Sequence, residues 1–194
     1  EAEVLGLACA SLDALGFPSE KVKVSVGSTA FFSALLAATG RAAELAKPLR
    51  DSIDRKDRLG TARLVSNLAD DKVRDAFELL AGPQDQATVL EQADALAPDE
   101  AARKAVKRLR KVVEAAATAG LGDRLEVDLG EVRGVGYYTG LVFNVYVDGA
   151  AGPVGGGGRY DTLLSRFGDD RPAVGFALEL DVLAPLARPA GVAR

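Results

Sequence analysis

The chain has 194 residues, 48% of them hydrophobic and 27% charged, enough to bury one sizeable core or a core with a small helical satellite. Its 24 basic and 28 acidic residues give a net charge of −4 and a pI near 5.0, so no global positive field exists to hold a polyanion, and a tRNA or DNA partner is disfavoured. Histidine is absent, which excludes imidazole acid–base work, histidine-dependent triads and nearly every zinc site, and the single cysteine excludes an internal disulfide and fits a reducing cytoplasm.

From the first residue the spacing of Val4, Leu5, Ala8, Cys9, Leu12 and Leu15 predicts a helix over Ala2 to Leu15, in which Cys9 is a small buried hydrophobe. No basic-then-apolar leader opens the chain, and no apolar run approaches the ~18 residues of a membrane span. Gly16, Pro18 and Ser19 end this helix, and Lys21 to Val26 alternates as a half-buried strand. Ser28 or Thr29 then caps a helix through Ala38, with Phe31, Phe32, Leu35 and Leu36 inward and Gly40 as its stop. Residues 41–119 read as a helical insertion with breaks at Gly60, Gly82-Pro83 and Pro98. Its last helix, 99–119, sets Ala102, Val106, Leu109, Val113 and Ala116 in one stripe and six bases around the remainder, a solvated face or a patch that meets tRNA or an acidic protein partner. Beyond Gly120 the period becomes two. Strands are expected at 124–129 and 139–147, a Gly-rich turn at 152–158, a helix near 160–167, a buried strand over 172–180 and a short helix through Leu186. The fold expected is α+β, an antiparallel sheet flanked by helices, with residues 1–40 and 120–194 as its core and 41–119 inserted.

Three blocks near the C-terminal end carry the chemistry: EVRGVGYYTGLVF at 131–143, PVGGGGRYDTLL at 153–164 and PAVGFALELDVL at 172–183. Each sets an arginine, tyrosine or acid among glycines, which lets backbone approach a ligand while one polar side chain addresses it. Arg133 keeps its charge at any physiological pH and suits a carboxylate or phosphate. Tyr137 and Tyr138 offer flat rings with hydroxyl tips; if the strand is regular only one faces inward, and Tyr138 is assigned to the ligand and Tyr137 to packing. The run Gly155 to Gly158 lacks the Lys-Ser/Thr of a P-loop and the spacing of a dinucleotide fingerprint, so close approach of Gly156 and Gly157 to a small ligand fits better. Arg159 and Asp161 flank Tyr160 and either bridge each other or touch the ligand.

In this order and spacing the blocks resemble the catalytic domain of the histidyl-tRNA synthetase family, a class II synthetase fold that also includes the non-aminoacylating regulatory subunit of ATP phosphoribosyltransferase. The first block matches the family's RGxDYYTG-type signature, the second its GGRYD signature, and the third the strand and helix called motif 3. The resemblance implies that Arg133 sits by an amino-acid carboxyl and that Tyr138 and Tyr160 line a histidine side-chain pocket. It also implies that motifs 1 and 2, which build the dimer interface and hold ATP, belong to an N-terminal portion that is not in the sequence.

Departures from the synthetase pattern steer the functional expectation. Val182 stands where motif 3 has an arginine that stacks on ATP, Glu179 replaces a glycine beside it, and Gly136 replaces an aspartate. A carboxylate beside a triphosphate, with its cation gone, costs several kcal/mol of complementarity. The chain also ends about ten residues after motif 3, where synthetases continue into an anticodon-binding domain. The resemblance then implies a cytoplasmic, non-catalytic regulatory subunit of histidine biosynthesis without a cofactor. It would form a homodimer within a hetero-oligomer with the short-form catalytic subunit of ATP phosphoribosyltransferase, and take histidine as a ligand. A divergent synthetase or synthetase-like ligase is the alternative, and a free-standing histidine sensor a third.

Overall fold

In the computed structural model, which describes residues 1–187, helix α1 (Ala2–Ala14) leads into strand β1 (Val22–Ser28) and helix α2 (Thr29–Ala38). Ser28 caps α2 by accepting the Phe31 amide at 3.3 Å. Four shorter helices follow, α3 (Ala42–Asp54), α4 (Arg58–Val65), α5 (Asp71–Ala81) and α6 (Val89–Leu96), and then the 17-residue α7 (Glu100–Ala116). Strands β2 (Leu125–Val127), β3 (Leu141–Val147), β4 (Gly155–Arg159) and β5 (Val174–Leu178) complete the sheet, and α8 (Leu180–Leu183) closes the described chain.

The sheet order is β2-β1-β3-β4-β5. Three of its four pairings are antiparallel, as expected, but β1 and β2 run parallel. The reason lies in the chain between them: a parallel neighbour requires a long crossover, and α2 to α7 supply one. Val22, Val24 and Val26 of β1, and Phe143, Val145 and Val147 of β3, point into one hydrophobic cluster with Leu5, Leu12, Phe31, Phe32, Phe77 and Leu109. Cys9 is buried in that cluster, and burial pushes its thiol pKa up. The helices therefore cover one face of the sheet, and the alternate residues Lys23, Ser25, Asn144 and Tyr146 look the other way.

Several local expectations change. Gly60 lies inside α4 rather than between helices. The break falls at Arg55 to Asp57, where Lys56 takes a left-handed backbone (φ 54), and Asp57 caps α4 by accepting the Gly60 amide at 2.8 Å. A Cβ at Gly60 would run into that carboxylate, so the glycine serves the cap. In α7 the buried stripe includes Val112, and Val113 sits at its margin. The glycine run is a strand, β4, because β3 and β5 hydrogen-bond it from both sides. Residues 160–167 form a turn and one 3-10 turn (Leu164–Phe167) instead of a helix. β5 is an edge strand with half-exposed residues, since a single neighbour and a single covered face leave the rest open.

The opposite edge of the sheet is closed by side chains. Gln86 pairs with Val127 in both directions, accepting its amide at 2.6 Å and donating to its carbonyl at 2.9 Å, while Gln84 accepts the Leu129 amide at 2.9 Å. Two side-chain amides thus stand in for a sixth strand and satisfy an edge that would otherwise invite another chain. Residues 188–194, part of the core expected from sequence, lie outside the described residues.

Candidate functional site

The cross-strand register places Gly27, Val142, Gly158 and Gly175 side by side in one row across the uncovered face. Glycines occupy three of these four positions, and each leaves room for a side chain lying over the sheet. A Cβ at Gly27 would come within 2.8 Å of the Glu131 Cβ, one at Gly158 within 2.7 Å of the Tyr138 ring, and one at Gly175 would strike the Tyr160 hydroxyl. An acid and two tyrosines therefore stand in line on a floor without side chains. Asn144 and Gly156 pair in the neighbouring row.

The tyrosines reach this row through a turn rather than a strand. Gly134 (φ 73) and Gly136 (φ 94) adopt left-handed backbone, and the Gly134 carbonyl accepts the amides of Tyr137 and Tyr138 at 2.8 and 2.9 Å. Strict alternation therefore does not hold for the two rings, because alternation is a property of extended backbone. Both turn toward Tyr160: Tyr137 stacks on it at 5.4 Å between centroids, Tyr138 lies 6.3 Å from it, and Tyr137 and Tyr138 meet edge to face at 4.9 Å. Burial, with the neighbouring tyrosines, raises the pKa of Tyr138, which keeps its phenol a hydrogen-bond donor.

Thr29, at the start of α2, ties this turn down: its amide donates to the Gly140 carbonyl at 3.0 Å, and its hydroxyl lies 3.1 Å from the carbonyls of Tyr138 and Gly140. Thr139 joins the turn to the second signature, donating its amide to the Arg159 carbonyl at 2.7 Å and accepting the Asp161 amide at 3.1 Å.

Of the six residues singled out from sequence, Tyr138, Tyr160 and Gly156 come together on this face. Gly157 and Arg159 have the opposite parity and turn to the helix-covered side, where Gly157 packs beside Phe176. There Arg159 donates to Asp161 at 2.7 Å, the internal bridge rather than a free group. Arg159 and Asp161, with Tyr138 beside them, line a cleft of about 520 Å³ between α2, α7 and the start of β3, with Ala34, Leu109 and Val112 as apolar wall and Lys104 and Arg108 at its rim. Arg133 is largely exposed and its Nε donates to Asp54 of α3 at 2.5 Å. That bond raises its pKa, and the nearby Glu131 adds to the effect.

Glu131 was not among the residues singled out from sequence. It is 8% exposed, and its two oxygens accept the Ser25 hydroxyl at 3.2 Å and the Asn144 amide at 2.6 Å. Burial, reinforced by Asp128, pushes its pKa up against those hydrogen bonds. It borders a polar recess of about 310 Å³ with Ser25, Lys56, Gln84, Asp128 and Tyr146. Its one sequence signal is an acid two residues before Arg133. The partners Ser25 and Asn144 become visible only once the strands are in register.

An α+β domain with helices on one sheet face, and an acid, an amide and clustered tyrosines on a glycine floor on the other, has the layout of a domain of class II synthetase type. Comparison with known proteins agrees. The histidyl-tRNA synthetase family profile matches residues 1–183, and the chain belongs to that family. A curated relative from Syntrophotalea carbinolica, named ATP phosphoribosyltransferase regulatory subunit, is 34% identical over 182 residues; the match covers 93% of the chain but 42% of the relative, so the chain spans less than half of that protein's length. The crystal structure of an ATP phosphoribosyltransferase regulatory subunit/histidyl-tRNA synthetase from Bacillus halodurans superposes with a TM-score of 0.83 at 27% identity, over 96% of this chain and 49% of that one. A chain of the HisG:HisZ ATP phosphoribosyltransferase complex of Thermotoga maritima shares the fold at a TM-score of 0.58 and 20% identity, over 81% of this chain and 53% of that one.

Proposed function

We propose that this chain serves as a non-catalytic regulatory subunit of ATP phosphoribosyltransferase in the cytoplasm. In this role it associates with the short-form catalytic subunit, forms a homodimer within the hetero-oligomer and takes histidine on the tyrosine-bearing face as a feedback signal. The observation that carries the reading is the 34% identity, over 93% of the chain, with a protein of that name. The third signature supports it. Glu179 sits at the start of α8 and Val182 is partly exposed one turn on, so an acid and a valine occupy the places where the synthetase pattern sets a glycine and an ATP-stacking arginine. An acid and a valine at those places favour a triphosphate less than a glycine and an arginine would, which disfavours adenylation.

On the histidine side, Tyr138 and Tyr160 provide ring surface and hydroxyls, Gly156 provides close backbone, and Arg133 provides a guanidinium for the carboxylate. The decisive experiment mixes the chain with a short-form catalytic subunit and measures phosphoribosyl transfer, alongside ATP–pyrophosphate exchange with histidine. Activation of the transferase with no exchange is expected. Histidine-dependent exchange would instead establish the alternative, a divergent histidyl-tRNA synthetase, which the family profile over residues 1–183 favours.

A further inference from the structure

We propose that the groove along α7 is a docking surface for a protein partner, and that its occupant is an acidic amphipathic helix of the short-form catalytic subunit. This inference rests on the regulatory-subunit reading above and names the surface through which that association is made.

The groove is built by one helix against two others. The cleft of about 520 Å³ between α2 and α7 shares Glu1, Lys104, Arg108 and Val112 with a second cavity of about 540 Å³ between α7 and the start of α1, so the two form one channel on the flank of α7. Ala101, Ala105, Leu109 and Val112, spaced i, i+4, i+8 and i+11, run along its floor. Alanine at the first two positions lets a neighbouring backbone come close. A partner helix lays its own apolar residues into a strip of this kind.

Charge decides which helix fits. α7 carries six bases against two acids, Glu100 and Glu114, in a chain whose net charge is −4. Lys104, Lys107, Arg108 and Lys111 border the groove at i, i+3, i+4 and i+7, and like charges at those spacings destabilise a helix unless a counter-charge meets them. Little of it comes from the chain itself. Glu1 accepts Arg108 at 2.9 and 3.1 Å and Glu100 accepts Arg103 at 3.4 Å, while Lys104, Lys107 and Lys111 form no ion pair among the described residues. Lys104 and Lys111 stand about 10 Å apart along the helix axis, so two turns of a partner helix with acids on one flank reach all three lysines. A nucleic acid is the poorer match, since it would leave the apolar floor unfilled and would meet a net negative molecule.

Surface plasmon resonance of the full chain with a purified short-form catalytic subunit, and in parallel with tRNA, tests the assignment. The triple variant Lys104→Glu, Lys107→Glu, Lys111→Glu should bind the subunit on the order of 100-fold more weakly, because like charges then face each other across the interface. An equal charge reversal on α3, α4 and the link between them, Lys47→Glu, Arg55→Glu, Arg63→Glu, should leave the affinity nearly unchanged. Ala101→Trp, at an exposed position lining the groove, should weaken binding by at least about tenfold through bulk alone, with the circular dichroism spectrum unaltered. Unchanged affinity in both groove variants, or equal losses from the two charge-reversed triples, overturns the proposal. So does a groove triple that loses tRNA while keeping the subunit, which makes the flank of α7 an RNA surface. If the unmodified chain does not bind the subunit at all, the regulatory-subunit reading itself fails and this inference with it.

Discussion

Asn144 donates its side-chain amide to Glu131 at 2.6 Å across the open face of the sheet, joining the centre of β3 to the residue that opens the first signature. Ser25 of β1 completes the grip from the other side at 3.2 Å. Burial outweighs these bonds and raises the carboxyl pKa above 4.5, its ordinary value. An acid that holds its proton more tightly when folded than when unfolded contributes stability that is fully present below the unfolded pKa. That contribution is lost as pH rises through the folded pKa. Thermal melts should therefore show a component that weakens as pH rises from about 4.5 toward neutrality, the ordinary value setting the lower bound. Asp128, Lys56, Arg133 and Tyr146 face the same region and modulate the profile. Glu131→Gln should flatten that component; a variant with an unchanged melting profile would place the titration elsewhere.

Gly158 makes the glycine floor testable without touching a polar group. A Cβ there would approach the Tyr138 ring to 2.7 Å and collide with the Leu141 carbonyl, a backbone atom that cannot swing aside. Gly158→Ala should destabilise the fold by about 2–4 kcal/mol, in the range of overpacked and strained positions. Gly152, with open space around it, is the control, and its alanine variant should cost less than about 1 kcal/mol. Denaturant unfolding of the two variants makes the comparison.

Asp128 accepts four hydrogen bonds from three donors: Lys56 at 2.6–2.7 Å, the Gly130 amide at 2.8 Å and Gln84 at 3.2 Å. Lys56 is about half exposed, so its own share is screened by solvent. Lys56→Ala should cost under about 1 kcal/mol, whereas Asp128→Ala, which strands part-buried donors, should cost about 2 kcal/mol. Equal losses from the two substitutions would contradict this ranking.

The side-chain pairing at the sheet edge predicts a local effect. Gln86→Ala removes both hydrogen bonds that Gln86 makes with the Val127 amide and carbonyl along that edge, so amide exchange at Val127 should accelerate by at least about tenfold, the equivalent of ~1.4 kcal/mol. Amides at the centre of β3 should exchange at their original rates. Acceleration throughout the sheet would mean that Gln86 supports the whole fold instead of one strand.

Much of the fold was legible because short-range rules decide it. Val22 to Val26 alternates, Ser28 caps, and the apolar spacing along Glu100 to Ala116 allows one buried stripe. Gly60 misled because a helix N-cap that needs a small residue looks, in sequence, like a helix break. The glycine run misled for a related reason. With no side chains it has no period-two signal, and strands β3 and β5 on either side make it β-structure.

The candidate site divides along the same line. Residue types alone pointed to the histidyl-tRNA synthetase family through three C-terminal blocks of glycine, tyrosine, arginine and acid, because those chemistries are rare in such combinations and their local spacing is fixed by the chain. Only the tertiary structure decided which residues share a face. Register between strands far apart in sequence set Tyr138, Tyr160 and Glu131 in one row, turned Arg159 and Gly157 to the other side, and paired Arg133 with Asp54. A one-residue shift in any pairing would exchange the faces, and no single strand's sequence records the register of its neighbour.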